Sequence, residues 1–247
     1  MNVSLYQAAA AMNATARWQD VISSNLAASS IPGFKKDEIS FAAIEAGMMP
    51  VEGAQGRGRF QMPMASGTVN FQQGEMQITG VNTDLAISGP GFFEVQLPDG
   101  RLAYTRDGQF NINNQGQLAT KDGGLVMGEN GPFVVDLNNP AELEFSTSGE
   151  ASQGVDRKGR LRVVNFDQPQ QLLRLGNYFL PENGETRPEP VANVSIQPRS
   201  LERSNTSPMI EMTHLLTAMR LFESNNKLMQ MQDQHMERLV RDLTPNQ

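Results

Sequence analysis

Leu5, Met12, Gln19 and Leu26 stand seven residues apart, and Ala8, Thr15 and Ile22 form a second row between them. Rows offset by three and four residues share one helix face, so the pattern predicts a helix over 3–28 with a seam rich in small side chains. Ala8 to Ala11 add intrinsic helix preference. The run "SSIPG" ends the helix. Pro32 lacks an N–H donor and restricts Ile31, and Gly33 accepts positive φ. The same period returns at the far end. Leu215, Phe222, Met229 and Met236 make one row, and Met212, Met219, Asn226, Asp233 and Val240 make its partner. They predict a helix over 208–243, with Ser207 as N-cap and Pro208 at N1. Asn226 and Asp233 put polar groups on this seam, where they set register or oligomeric state at some cost in stability.

Between the ends the period drops to two. Short alternating segments such as "RLAYTR", "QFNIN" and "QLATK" are separated by the turn signals "PDG", "DG", "NNQG" and "KDGG". Spacing of this kind predicts meandering antiparallel strands. Further strands are expected at 133–137, 143–146, 160–166 and 172–180. Residues 36–75, with "GAQGRGR" and "QMPMASG", follow neither period and are expected to form an extended, irregular connector. The fold class that results is α+β. A central all-β domain of short antiparallel strands covers 76–202. Residues 1–35 and 203–247 supply long terminal helices that form a coiled-coil-like domain.

Composition narrows the function. The chain has 247 residues and a formal charge of −7, so no basic stripe offers itself to nucleic acid. Ten acids stand against Arg101, Arg106 and Lys121 between Glu75 and Glu144, which reads as a solvated acidic surface. There is no cysteine, which removes disulfides, thiolate nucleophiles and Cys-type zinc sites. The N-terminus lacks a basic region followed by a long apolar run, so no cleaved signal peptide is expected. No apolar stretch approaches the ~20 residues of a membrane span, so no membrane insertion is expected.

Candidate chemistry is sparse. His214 and His235, the two histidines, lie twenty-one residues apart on one predicted helix, about 30 Å at the helical rise, too far to share a metal. "GPGFFEV" is glycine-rich, but it leads into a strand, and no helix N-terminus follows to hold a phosphate. "DGQFNINNQGQ" lacks the acids of a calcium loop and reads as a hairpin. Glu142 and Glu144 alternate along a strand and face solvent together. No catalytic residue, cofactor or metal site is expected. What needs a partner is the pair of terminal seams. Many copies side by side would bury them, and a contact that does not close would build a helical filament.

The motifs then resemble those of the bacterial flagellar rod and hook proteins of the basal body. "SSNLAASSIPGFKK" is similar to that family's N-terminal signature, on Asn25, Leu26, Ala27, Gly33, Phe34 and Lys35. The block from Thr79 to Gly128 is similar to its central signature, on Asp84, Leu85, Ala86, Gly89, Gly91, Phe92 and Phe93, then Tyr104, Thr105, Arg106, Gly108, Phe110, Gly116 and Leu118. "LERSNTSPMIEMTHLLTAMRLFESNNKLM" is similar to its C-terminal signature. Two positions depart from it: Thr206 stands where Val is usual, and Ser24 where Asn is usual.

The resemblance implies a structural subunit, not an enzyme, located in the rod across the periplasm. Its partners would be copies of itself, neighbouring rod proteins and the flagellar export apparatus. The terminal helices would pack in coiled-coil layers, with Leu5, Met12, Ile22, Asn25, Leu26, Met212, Leu215, Met219, Phe222, Met229 and Met236 at the assembly interface. Pro32, Gly33 and Phe34 would form the corner where the chain turns outward, with Phe34 anchored on a neighbour or on the C-terminal helix and Lys35 and Lys36 solvated. The fragment "VMGENGPFVVD" looks more like the proximal than the distal rod protein. Two other readings compete: a monomeric β-domain binding module with paired end helices, and a hydrolase built on carboxylates alone.

Overall fold

The computed structural model describes residues 3–50, 57–181, 187–191 and 195–243. It divides the chain into two compact units. One comprises residues 1–27, 37–70 and 207–247, the other residues 28–36 and 71–206.

The first unit holds both helices. Helix α1 spans Val3–Ala27 and α2 spans Pro208–Leu243. The Pro-Gly stop and the Ser-Pro start act where the sequence places them. Strand β1, Asp37–Pro50, pairs antiparallel with strand β2, Arg57–Val69, in register from Asp37 opposite Val69 to Pro50 opposite Arg57, with one irregularity between Glu45 and Gly47. This corrects the expectation of an irregular connector over 36–75. Its glycines and methionines hide a long two-stranded ribbon, because backbone pairing along both strands needs no alternation of apolar side chains when neither face joins a sheet core. The same unit closes around Trp18, whose ring meets Phe41 edge-on at 5.8 Å and lies 6.1 Å from His214.

The second unit is β-rich. Among the described residues its largest sheet has ten strands. The path runs through Leu172–Leu175, Tyr178–Pro181, Leu102–Thr105, Phe92–Gln96, Leu125–Gly128, Leu118–Thr120 and Phe110–Ile112. The pairs along it are antiparallel, as the dense turn signals predict. A three-stranded sheet, Leu143–Phe145, Glu150–Gln153 and Asp156–Arg160, adds Leu143, Phe145 and Ala151 to the core. The expected strand at 172–180 is a hairpin turning at Gly176, which sits at φ 61°.

One core of Leu85, Ile87, Phe93, Val95, Phe110, Leu118 and Val126, among others, fills this unit. Successive strand residues face opposite ways, yet Phe92 and Phe93 are both buried. Phe93 meets Phe110 edge-on in the main core at 5.2 Å. Phe92 faces a second, aromatic cluster with Phe71, Phe166 and Phe179. The strand Phe92–Gln96 is thus covered on both sides. The tight turn at "GPG" gives it room: Gly89 and Gly91 take φ of 98° and 134°.

Candidate functional site

The three signature segments, far apart in sequence, converge on one place in the second unit. Gly33 sits at φ 67°, and a Cβ there would fall 2.3 Å from the carbonyl carbon of Arg106. The position therefore requires glycine on two counts, backbone conformation and space. The Gly33 N–H donates to the carbonyl of Glu202 at 2.7 Å. One residue on, Phe34 is buried, and beyond it Lys35 is only 1% exposed. The Lys35 Nζ donates to Glu202 Oε1 at 2.5 Å and to the Gln72 carbonyl at 2.7 Å. Glu202 also accepts from the Gly74 N–H at 2.8 Å and, on its other oxygen, from Arg106 Nη1 at 3.4 Å.

A side chain the sequence reading left in water is thus at the centre of a buried ion cluster. The alkyl stem of Lys35 can be buried, but its ammonium cannot stay there without a carboxylate, and Glu202 supplies one. Burial holds the Lys35 ammonium below its ordinary pKa, with Glu202 opposing that shift and Arg106 adding to it. Burial likewise lowers Arg106, against the pull of Glu202.

Phe34 is anchored within its own β unit, not on the C-terminal helix. The Arg174 guanidinium lies over its ring at 4.4 Å and over Phe179 at 5.5 Å. Phe179 meets Phe92 at 5.6 Å, and Arg106 lies over Phe92 at 5.2 Å. Rings and guanidinium groups thus form a continuous series from the corner to the "GPG" turn, each cation–π contact worth about 0.5–2 kcal/mol. Tyr104, also buried, stacks edge-on with Phe166 at 4.8 Å.

Two asparagines frame the same stretch. Asn25, buried at the end of α1, donates to the Asp37 carbonyl at 2.8 Å and accepts from the Asp37 N–H at 2.9 Å. Asn205 accepts from the Lys36 N–H at 2.8 Å and donates to the Gln72 carbonyl at 3.1 Å. Each completes backbone groups that a loop would otherwise leave unpaired. The remaining central positions are structural as well. Asp84 is buried and bridges Gln109, and Gly108 lies where a Cβ would meet the Leu85 carbonyl oxygen at 1.6 Å.

Along α2 the rows of the expected seam differ in how far the chain itself covers them. Leu215, Phe222 and Met229 are half-covered as expected. Their partner row is Glu211, Ala218, Asn225 and Gln232, with Glu211 and Ala218 buried. Met212 and Met219 instead remain 54% and 50% exposed, and Met236 is exposed too. On α1, Ile22 is buried, Met12 and Leu26 are half-covered, and Leu5 falls on the first turns. Pro32 is half-covered at the corner. Among the described residues no cluster of His, Cys, Asp and Glu could hold a metal ion, and no helix is long and apolar enough to cross a membrane.

Sequence reasoning missed Glu202, Lys35, Arg174 and Asn205 as members of this site. Glu202 and Asn205 lie inside the C-terminal signature and Lys35 inside the N-terminal one, so the signal was present, but nothing in the spacing pairs residue 35 with residue 202.

Comparison with known proteins agrees with this geometry. The family model for the flagellar hook protein FlgE/F/G D1 domain matches residues 86–163, and that for the flagellar basal body rod FlgEFG protein C-terminal region matches 197–242. The flagellar basal-body rod protein FlgF of Caulobacter vibrioides is 33% identical over 230 residues, covering 93% of each chain. FlgG of Borreliella burgdorferi is 29% identical over 93% of this chain and 94% of its own. FlgF of Mesorhizobium japonicum is 29% identical over 93% and 92%. A β unit that gathers residues 28–36 and 71–206, with this family of relatives, defines a structural protein of the flagellar hook-and-rod class, not an enzyme. The chain belongs to the flagellar basal-body rod protein family.

Proposed function

We propose that the chain is a basal-body rod subunit that assembles with copies of itself and with neighbouring rod proteins through its terminal helices, packed as coiled-coil-like layers. The observation that carries this reading is the bare apolar row on α2. Met209, Met212, Leu216 and Met219 follow one another at three- and four-residue spacing, and all are at least half exposed. The row that faces the chain's own unit is a different one, so a second face of the same helix is left for another subunit. A continuous apolar stripe in water marks a surface meant for burial. Repeated head-to-tail, such a contact gives a filament and not a closed ring. The subunit reaches the rod through the flagellar export apparatus, and within the rod it is of the proximal kind.

Leu216→Asp tests the stripe. An unpaired carboxylate in an apolar interface costs several kcal/mol, while at an exposed helix position it leaves the fold alone. Light scattering at rising concentration should show wild-type growth and a Leu216→Asp subunit that stays monomeric with an unchanged melting temperature; the variant strain should not swim. A wild-type chain that stays monomeric throughout, or a variant that assembles equally well, would overturn the reading.

A further inference from the structure

Arg106 is under-neutralised. It shares a single carboxylate with Lys35, and Glu202 Oε1 already accepts from both Lys35 Nζ and the Gly74 N–H. Arg106 is left with one long 3.4 Å contact to Oε2 and a 2.9 Å bond to the Gly89 carbonyl. Its Nε is buried with no hydrogen-bond partner. Two cations on one anion leave an excess positive charge in low-dielectric surroundings, which is unfavourable unless another anion approaches. Beside this guanidinium lies an open cavity of about 300 Å³, lined by Arg106, by the rings of Phe71 and Phe92, by Pro169 and by the backbone of Gly89. Its lining is mostly apolar, with Gln73 and Asn165 as neutral polar members and Arg106 as the charged one. Both features suit one kind of guest, a carboxylate carried next to an apolar group.

We infer that this cavity is a docking site for an acidic side chain, flanked by an apolar one, from a second copy of the chain. The choice of occupant rests on the assembly reading above and on charge complementarity. The chain carries 27 acids against 20 bases, and Asp99, Asp122, Glu129, Asp136, Glu142 and Glu144 are exposed on this unit, so a neighbour offers acidic surface to a cationic pocket. Guanidinium recognises a carboxylate through paired N–H donors, and a partially desolvated charge-assisted bond is stronger than an exposed one.

The test titrates the full-length chain with phenylpropionate and, separately, with phenylpropionamide, following the Arg106 Nε–H and the Phe92 ring by NMR. The acid should shift both saturably, and the amide should bind about tenfold more weakly or not at all. Arg106→Gln, which removes the charge, should lose the preference for the acid. Because that variant disturbs the ion cluster, Asn165→Phe at the rim is the second arm: it fills the cavity, leaves Lys35, Arg106 and Glu202 in place, and should abolish binding. Equal binding of acid and amide, shifts that never saturate, or unaltered binding in Asn165→Phe overturn the site. Phenylpropionate should also slow wild-type growth in light scattering; saturable binding without any slowing overturns the second copy as occupant. Leu216→Asp, held as a monomer, should still bind the acid, so failure of helix-driven assembly and failure of the pocket give different results.

Discussion

Lys35 shows how a charge can be misplaced by inspection of sequence. A Lys pair after a Gly-Phe turn reads as solvated, since lysine is rarely buried without a partner. Here the partner, Glu202, stands 167 positions away. The expected consequence is asymmetric. Lys35→Gln leaves Glu202 buried with a weaker set of donors and should cost about 3 kcal/mol in urea unfolding. Lys36→Gln keeps the backbone bond to Asn205 and should cost less than about 1 kcal/mol. Equal, small effects of the two would show that the cluster contributes nothing to stability. Thr206 makes the opposite case. It occupies a position where Val is usual in the resembling signature, it is buried, and its hydroxyl finds no hydrogen-bond partner. Thr206→Val conserves shape and removes an unsatisfied group, so it should stabilise the chain by about 1 kcal/mol. Differential scanning calorimetry would show this as a raised melting temperature.

At the level of elements, what was legible followed the strength of periodicity. Both helices and the hairpins of the central block stand out because apolar spacing and turn residues agree. The ribbon β1–β2 did not, since its Gly- and Met-rich strands show no sustained apolar alternation in sequence, although Phe41 meets Trp18 and Ala65 is buried. On α2, Met212 and Met219, expected at an assembly interface, are half exposed, and the row covered beside Leu215, Phe222 and Met229 contains Glu211 and Ala218, one charged and one small. Phe222 and Leu216 therefore separate two tasks. Phe222→Asp puts a charge on the half-covered side and should lower helix content and melting temperature of the isolated chain. That loss, followed by circular dichroism, should be absent in Leu216→Asp. Matching thermal curves for the two variants would mean that the faces have been exchanged.

Taken as a molecule, the chain enters its β unit twice. Residues 28–36 lie in that unit, the chain leaves for the ribbon, and it returns at 71. None of this interleaving was readable from sequence, where 1–35 appears to belong with the helices, because long-range backbone bonds leave no local pattern. The stretch 28–36 is held by the Gly33 N–H on Glu202, by the Asn205 N–H on the Phe34 carbonyl and by the Lys35 ion pair. Limited proteolysis within 37–70 should therefore nick the chain without releasing its N-terminal piece. Gel filtration in native buffer should keep that piece with the fragment from 71 onward, and urea should separate them only as the β unit melts. Early release of the N-terminal piece would place the corner outside the unit.

The shared carboxylate of Glu202 has a consequence for the genetics of this protein. Loss of the single anion orphans two cations at once, whereas loss of either cation leaves the other still paired. Glu202→Gln should therefore be the most damaging substitution of the three. Removing one surplus charge should relieve it, because an apolar side chain of similar volume can replace a buried ion at little cost. A selection for regained swimming in a Glu202→Gln strain should yield second-site changes at codon 35, Lys35→Met first among them, at the opposite end of the gene. Two mutations that lie far apart on the map and are individually harmful would then behave as a compensating pair, linked by one oxygen atom.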